Sequence, residues 1–175
     1  MSPDFWSGKR VLVTGHTGFK GAWLSFWLAE MGADVTGCAL APETDPNLSV
    51  LLDLNGWINS RIADINDAAA VANVLQEAKP EIIFHLAAQA LVRRSYSQPA
   101  ETFATNVVGL VNLLHAASES DSVKAVVIAT SDKCYENREW MWGYRENDPM
   151  GGHDPYSASK GCAELAAASM RRSYF

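Results

Sequence analysis

The stretch RVLVTGHTGFKG, residues 10–21, decides the fold of this chain because it runs from an apolar strand into a turn with three glycines. Its first five residues predict a short strand, and the apolar residues 22–31 predict a helix directly after the turn. Gly15 permits a bend that a side chain would block, Gly18 lets backbone N–H groups approach a diphosphate, and Gly21 lets the helix pack closely on the strand. The N-terminus of the helix then favours phosphate charge. The pattern predicts a dinucleotide site, with a purely structural turn as the alternative.

Short β-rich runs alternate with longer helical stretches along the rest of the chain. Further strands are predicted at residues 34–40, 61–65, 81–87 and 125–130, and further helices at 67–79, 98–120 and 156–174. The last strand is apolar throughout, which is typical of a strand covered on both faces. The alternation predicts an α/β fold, a doubly wound parallel sheet with right-handed crossovers.

Tyr156 and Lys160 stand four residues apart, just after the helix-start signal Asp154-Pro155. At this spacing the two side chains share one face of a helix. A tyrosine beside a fixed positive charge loses its proton more readily, so it can take a proton from an alcohol near neutral pH. The pair therefore predicts alcohol oxidation, and its alternative is an ordinary exposed helix pair.

Length and composition fit one soluble domain in the cytoplasm. The chain has 175 residues, of which 48% are hydrophobic and 19% charged, and this is enough apolar material for a core. It has no apolar run of the ~20 residues that a membrane span needs, and residues 1–4 lack the pattern of a signal peptide. The net charge of −6 argues against a nucleic-acid partner. Cys38, Cys134 and Cys162 are odd in number and widely spaced, which favours reduced, buried thiols over a metal site.

Several motifs together resemble the extended short-chain dehydrogenase/reductase superfamily. These are Gly15-x-x-Gly18-x-x-Gly21, His85-Leu86-Ala87-Ala88, Asn106, Ser131 and Tyr156-x-x-x-Lys160, in that order. Within the superfamily, residues 85–89, 131–135 and 137–160 are most similar to the CDP-glucose 4,6-dehydratases, which are nucleotide-sugar lyases. The resemblance covers nearly the whole chain and implies a Rossmann-like, NAD-binding domain over residues 1–175.

The resemblance also implies a set of site residues. The residues expected to bind the cofactor are Gly15, Thr17, Gly18, Phe19, Gly21, Asp64, Ile65, Leu86, Ala87, Ala88, Asn106, Tyr156 and Lys160. The expected substrate-binding residues are Gln89, Ser131 and Tyr156, and the expected catalytic residues are Ser131, Asp132, Lys133, Tyr156 and Lys160. The substrate that it implies is CDP-glucose.

The chemistry implied is a dehydration with a transient redox step. Tyr156 takes the proton of the sugar 4-hydroxyl while NAD accepts the hydride of C4, Lys160 assists Tyr156 and holds the nicotinamide ribose, and Ser131 bonds the same hydroxyl. The 4-keto group acidifies the C5 proton, so water leaves across C5 and C6 and the hydride returns to C6. The product is a 4-keto-6-deoxy sugar nucleotide.

Asp132 and Lys133 stand where related dehydratases that act on dTDP-glucose have Asp-Glu. By that resemblance Asp132 gives a proton to the departing 6-hydroxyl. Lys133 can act as the base only when neutral, which requires desolvation or a nearby positive charge. Stabilisation of the enolate charge is a second possible role, and an ion pair with a loop carboxylate is a third.

The choice of cofactor depends on the resemblance, because the second strand ends in Gly37-Cys38-Ala39-Leu40 and lacks the acid that commonly binds the ribose of NAD. Asp64-Ile65 resembles an adenine-contacting pair, and its alternative is a carboxylate at a strand end before the next helix. His16 fits either a place beside the phosphates or a cap of the turn. His85 is expected to be a core histidine.

The connection 131–154 is long, and it leaves the end of a strand where ligands bind in open α/β sheets. Its residues Trp140 and Trp142 fit either substrate contact or a small satellite core.

Members of this family are longer than 175 residues, so the chain is expected to be an N-terminal part that lacks the C-terminal strands and the substrate-binding region. Such a part is expected to be inactive alone. Its last strand is expected to lie at the edge of the sheet. The resemblance implies a homodimer through helices 100–118 and 156–174. Two other functions stay open: an NAD(P)-dependent nucleotide-sugar epimerase or oxidoreductase, and a non-catalytic dinucleotide-binding module.

Overall fold

Five parallel strands form the sheet of this protein. The computed structural model describes residues 3–175. The strands of these residues are β1 (Arg10–Thr14), β2 (Asp34–Ala39), β3 (Asn59–Ile62), β4 (Ile82–His85) and β5 (Ala125–Ile128). Every pair is parallel, and the order is β3-β2-β1-β4-β5. The order reverses beside β1, so a crevice opens outside the carboxyl ends of the strands there. The predicted doubly wound parallel sheet is confirmed.

The helices of the described residues lie between and around these strands. They are α1 (Pro3–Trp6), α2 (Phe19–Glu30), α3 (Leu48–Leu51), α4 (Ala68–Ala78), α5 (Val92–Ser97), α6 (Pro99–Phe103), α7 (Gly109–Ser118) and α8 (Pro155–Tyr174). A π-helical turn, Ala104–Val108, joins α6 to α7. The three segments form one continuous helix, as predicted from residue 98, but the hydrogen-bond pattern changes from α to π and back to α along it. Of the helices within residues 3–175, none combines the length and the apolar character required to cross a bilayer.

Capping residues explain where two of the longer helices begin. The Asp67 carboxylate accepts the backbone N–H groups of Ala69 and Ala70, which starts α4 at the predicted place. The same helix ends at Ala78, and its C-cap residue Lys79 takes a left-handed conformation with φ 43° before a proline. The Asp154 carboxylate accepts the N–H of Ser157 and starts α8 in the same way.

The core lies on both faces of the sheet, because β1 is buried on both sides. Val11 and Val13 face one apolar cluster with α2, and Leu12 faces another with α4 and α7. All three side chains are at most 1% exposed. A third cluster, Leu110, Leu114 and Ala163, packs α8 on α7 and is continued by β5. This packing places the start of α8 at the carboxyl end of the sheet.

Several expectations about local structure were wrong. Helix α2 begins at Phe19, so Gly21 lies in its first turn. Strand β3 ends at Ile62 and residues 63–65 follow it, because pairing with β2 stops at Ala39. Cys162 is exposed, since it lies on the outer side of α8, whereas the other two cysteines are buried as predicted. The short helices α3 and α5 were not predicted.

Strand β5 is also not covered on both faces. It lies at the edge of the sheet, as expected of its position, and Val127 is 50% exposed. Val126 and Ile128 pack toward α7 and α8, while Val127 points to the opposite face. Four consecutive apolar residues hide this alternation in the sequence.

Glu81 binds together the amino ends of three strands. Its carboxylate lies 2.8 Å from Lys124 Nζ, 3.7 Å from Lys9 Nζ and 3.8 Å from Arg10 Nη2. The hydrogen bond from Lys124, followed by the backbone N–H of Arg10, lowers the pKa of Glu81 to about 2. These bonds favour the ionised carboxylate in the folded state.

We expect Glu81→Gln to destabilise the protein at neutral pH and to have a smaller effect in acid. Because the folded pKa of about 2 lies below the ordinary 4.5, the contribution of the carboxylate is complete above pH 4.5 and is lost as the pH falls toward 2. The measurement is the urea-unfolding midpoint of both proteins from neutral pH down to about 3.

Glu77→Gln is the matched control, because Glu77 pairs with Arg61 at 2.9 Å in an exposed position. The same pH dependence in the wild type and in Glu81→Gln would contradict this interpretation.

Candidate active site

The glycine turn after β1 is closed against the loop that follows β4. Gly15 has φ +78°, and a Cβ there would lie 2.8 Å from the backbone nitrogen of Ala87. A Cβ on Gly21 would lie 2.0 Å from the carbonyl oxygen of Gly15. Both positions therefore require glycine, for a bend and for close packing of α2 respectively.

The N-terminus of α2 is open to an anion. Gly18 is exposed and donates its N–H to the Gly15 carbonyl oxygen at 3.0 Å. No side chain of residues 3–175 caps α2, so the N–H groups of its first turn are free of side-chain acceptors. Phe19 and Lys20, in that turn, are exposed, and Thr17 is half-buried with its hydroxyl bonded to Leu40 O. This arrangement fits a diphosphate.

Thr14 fixes the loop that follows β4 beside the glycine turn. Its Oγ1 accepts the backbone N–H groups of Leu86 and Ala87, both at 3.2 Å, and lies 2.8 Å from His85 Nδ1. Burial, assisted by the charge of Lys160, lowers the pKa of His85 to about 4. His85 is thus a neutral, hydrogen-bonded core histidine, as predicted. The half-buried residues 86–88 form one wall of the crevice.

His16 is buried and lines a cavity beside the glycine turn. Its ring is 1% exposed, its Nε2 lies 2.8 Å from Ser60 Oγ, and a Cβ on Gly37 would lie 2.4 Å from it. Burial lowers the pKa of His16 to about 4. His16 links the glycine turn to β3, a place that the sequence did not indicate.

The predicted adenine-contacting pair is divided between surface and core. Asp64 is exposed, and its carboxylate accepts the N–H of Asn66 at 2.9 Å. Ile65 is 6% exposed and belongs to the core cluster beneath α4 and α7. Any side-chain contact from this pair would therefore come from Asp64.

Asn106 and Gln89 use their side chains to hold three elements together. Asn106 Oδ1 accepts the N–H of Gln89 at 2.8 Å, and its Nδ2 donates to Gln89 O at 3.1 Å and to Ser159 Oγ at 2.8 Å. Gln89 Nε2 donates to Thr102 Oγ1 at 2.9 Å, and its Oε1 accepts the N–H of Leu91 at 2.7 Å. The π turn thus ties the loop after β4 to α8. The binding roles of Asn106 and Gln89 stay predictions, because both amides are occupied by these bonds.

Tyr156 and Lys160 lie together at the start of α8. Lys160 Nζ is 6.0 Å from the centroid of the Tyr156 ring and donates to the carbonyl oxygen of Ala129 at 3.5 Å. Lys160 is 6% exposed, while Tyr156 is half-buried and reachable. Burial lowers the pKa of Lys160, and the carboxylate of Glu164 acts in the opposite direction. An ammonium beside a reachable phenol is the arrangement that proton abstraction from an alcohol requires.

Ser131, Asp132 and Lys133 follow β5 and face the same end of the sheet. Ser131 Oγ lies 3.0 Å from Asp132 Oδ1 and accepts the N–H of Lys133 at 3.2 Å. The 3₁₀ turn that they form, Asp132–Cys134, packs on α8, where a Cβ on Gly161 would lie 3.2 Å from Cys134 O. The structure thus brings the predicted catalytic residues to two neighbouring elements.

Lys133 lies in water. Asp132 and Lys133 are both exposed, and within residues 3–175 no carboxylate lies within the 4.0 Å ion-pair limit of Lys133. The loop ion pair considered for Lys133 is therefore not seen. The desolvation that a neutral lysine base requires is not supplied by the described residues either, so this role stays a prediction.

Aromatic rings from the long connection stack beside the 3₁₀ turn. The ring centroids of Tyr135 and Tyr144 are 5.2 Å apart, those of Trp140 and Trp142 are 5.2 Å apart, and those of Trp140 and Tyr144 are 5.6 Å apart. Trp142 is 60% exposed. The stack is a small satellite cluster with one face open, so both interpretations of the tryptophans stand.

Sequence reasoning missed three side chains of this site: Thr14, Ser159 and Glu164. Thr14 directly precedes Gly15, and Glu164 stands one helical turn beyond Lys160, so spacing alone could have indicated both. Ser159 is buried and has no such signal.

Comparisons with known proteins agree with this geometry. A family model described as GDP-mannose 4,6 dehydratase matches residues 12–175. The CDP-glucose 4,6-dehydratase of Salmonella typhimurium is 60% identical over 175 residues, which cover 100% of this chain and 49% of that protein. The chain spans about half the length of the first curated relatives it matches.

Two solved structures show the same fold. A double mutant of the dTDP-glucose 4,6-dehydratase DesIV from Streptomyces venezuelae, with NAD and DAU bound, has a TM-score of 0.82 at 28% identity, covering 94% of this chain and 52% of that one. The UDP-glucose 4-epimerase of Thermotoga maritima, with UDP-glucose, has a TM-score of 0.83 at 26% identity, covering the same shares.

We expect Asn106→Ala to destabilise the fold strongly. The substitution leaves the N–H and C=O of Gln89 buried without partners, at a cost of roughly 1–3 kcal/mol for each group. The measurement is the free energy of urea unfolding.

Asn73→Ala, on the exposed face of α4, is the matched control and is expected to change the stability little. Equal stabilities of the two variants would show that the bonds of Asn106 do not hold the site.

Proposed function

The chain belongs to the GDP-mannose 4,6 dehydratase family, and we propose that the whole protein is a nucleotide-sugar 4,6-dehydratase that acts on CDP-glucose. The observation that carries the proposal is the pair of Tyr156 and buried Lys160, set at the crevice where the open N-terminus of α2 also lies. The 60% identity to the Salmonella typhimurium enzyme supports the substrate. We propose residues 1–175 as the cofactor-binding domain of this protein.

The proposed cofactor is NAD. The glycine turn with its uncapped helix fits the diphosphate, through Gly15, Thr17, Gly18, Phe19 and Gly21. When bound, NAD would supply the hydride acceptor for oxidation of the sugar at C4 and the hydride for reduction at C6. The NAD in the DesIV structure supports this choice.

The remaining cofactor contacts are proposed for residues that line the crevice or surround it. They are Asp64, Ile65, Leu86, Ala87, Ala88, Asn106, Tyr156 and Lys160. For Asn106 the contribution would be indirect, because its amide already holds the loop after β4.

The chain's own residues move the protons of the first step. The Tyr156 hydroxyl oxygen, as phenolate, accepts the proton of the sugar 4-hydroxyl, since its ring is reachable and the Lys160 ammonium stabilises the negative charge. Ser131, half-buried at the end of β5, donates a hydrogen bond to the same hydroxyl oxygen. Gln89 is the remaining proposed substrate contact. Its side-chain amide already bonds Thr102 and Leu91, so only the atoms outside these bonds can reach the substrate.

The elimination of water is assigned to Asp132 and Lys133. Asp132 protonates the departing 6-hydroxyl, and the C5 proton passes to Lys133 or, where Lys133 instead stabilises the enolate, to solvent at this exposed turn. C5 regains a proton when the hydride reaches C6. The enolate role requires only a charged lysine near the substrate, which is compatible with the exposure of Lys133.

A nucleotide-sugar 4-epimerase is the second candidate. It is favoured by the TM-score of 0.83 to the Thermotoga maritima epimerase. An epimerase shares the oxidation at C4 and differs in that no water leaves.

We further propose that the protein forms a homodimer through helices 100–118 and 156–174. Phe103, Val108 and Leu165 support this surface, because they are apolar and 36%, 54% and 62% exposed on α6, the π turn and α8. The cytoplasmic location stays a prediction from the sequence.

We expect the full-length protein to convert CDP-glucose, in preference to the UDP, dTDP and GDP sugars, into a product lighter by one water, without accumulation of NADH. Tyr156→Phe is expected to lower kcat by roughly 10²–10⁴-fold, because it removes the proton acceptor. The measurements are mass spectrometry of the product, absorbance of NADH and calorimetric binding of NAD, which Tyr156→Phe should retain.

Tyr96→Phe is the matched control, since Tyr96 is 68% exposed outside the site, and its kcat should equal that of the wild type. A product with the mass of the substrate would select the epimerase, and full turnover by Tyr156→Phe would refute the role of Tyr156 as the proton acceptor.

We expect Val108→Glu combined with Leu165→Glu to convert the dimer into monomers, because charge on this apolar surface cannot be paired across a two-fold contact. The measurement is the mass by sedimentation equilibrium. Val50→Glu, at a 66% exposed position on α3, serves as the control and should stay dimeric. A wild-type mass of one chain at all concentrations would contradict the dimer.

A further inference from the structure

Glu164 connects α8 to the end of β5 directly behind the site. It stands one helical turn beyond Lys160, is half-buried, and accepts a hydrogen bond from Thr130 Oγ1. Thr130 lies between Ala129, whose carbonyl oxygen accepts from Lys160 Nζ, and Ser131. Helix α8 thus contacts this strand end at two successive residues, through two side chains one turn apart.

The charge of Lys160 requires a counter-charge, because a buried ammonium is costly without a partner. Three titratable groups of the described residues act on Lys160 or lie beside it: Tyr156 and Glu164 on α8, and His85 from β4. His85 is neutral near pH 7, because burial lowers its pKa to about 4. Glu164 is a half-buried carboxylate that stands one helical turn from Lys160 and bonds the same strand end, so its charge favours the ammonium form of Lys160.

We propose that Glu164 is a positioning residue, which keeps Lys160 charged and, through Thr130, fixes the strand end that presents Ser131 to the substrate. It touches neither substrate nor cofactor. The two contributions are separable, because a glutamine at position 164 keeps an oxygen for Thr130 and loses the charge. A valine at position 130 removes the hydroxyl and keeps the charge.

The effect on Lys160 does not depend on what the protein catalyses. The effect on turnover rests on the proposed function, since it requires a charged Lys160 beside Tyr156 and a fixed Ser131. An experiment that measures the pKa of Lys160 directly therefore tests the role of Glu164 separately from the proposed enzymatic function.

The experiment is an NMR titration of the 19.0 kDa chain with ¹³C at the lysine Cε, in which Lys160→Arg identifies the Lys160 signal. The carboxylate of Glu164 raises the pKa of Lys160, so Glu164→Gln is expected to move its titration midpoint to lower pH. Thr130→Val should leave the midpoint unchanged. Glu119→Gln, at an exposed position at the end of α7, is the matched control and should also leave it unchanged.

An unchanged or higher midpoint in Glu164→Gln would overturn the inference. Dispersed amide signals in the NMR spectrum establish first that each variant folds. If Glu164→Gln does not fold, Glu164→Ala takes its place, and the Lys160 midpoint is again required to move to lower pH.

In the full-length enzyme, the alkaline limb of the kcat profile should shift to lower pH in Glu164→Gln and stay in place in Thr130→Val. Thr130→Val should lower kcat roughly tenfold, a fraction of what acid–base groups contribute, and Thr130→Ser should restore it. The inference would also be overturned if both Glu164→Gln and Thr130→Val had the wild-type kcat and the wild-type alkaline limb of the pH profile. A shifted NMR midpoint in a protein without dehydratase activity would support the effect of the Glu164 charge on Lys160 and refute only the function.

Discussion

The contact between the end of β1 and the loop after β4 is the constraint on which the rest of the site depends. Thr14 accepts two backbone N–H groups of that loop, and Gly15 approaches it so closely that no Cβ fits. This contact sets the distance between the glycine turn and the wall formed by residues 86–88. A dinucleotide that lies across the switch point must touch both sides, so the strand order and this single contact together determine the shape of its site.

The sequence predicted best what is decided locally. Helix α4 was predicted closely because Asp67 and Lys79 each act on their own neighbours along the chain. Prediction from the sequence failed where residues far apart in the chain determine the position of a side chain. Asn106 bonds Ser159, 53 positions away, and His16 turns inward because Gly37, on another strand, leaves room for its ring. The exposure of Val127 was missed because a run of apolar residues has no period that distinguishes a covered face from an open one.

The site residues divide by environment into two groups. Tyr156 and Lys160 stand on a long helix packed against the core, and Lys160 is buried among fixed partners. Asp132 and Lys133 stand on a short turn in water. In the proposed mechanism, the groups for proton abstraction from the 4-hydroxyl are therefore held by the fold itself, whereas the groups proposed for elimination lie exposed.

The π turn within the long helix fixes the number of residues in that segment. A π turn holds one more residue than an α turn, so α6 and α7 are out of phase with a regular helix by about 100°. Removal of one residue from Ala104–Val108 would restore ordinary pitch and rotate Asn106 away from Gln89, or else Leu113 away from the core. Insertions and deletions should therefore be absent from this segment in functional homologues, even where its side chains vary.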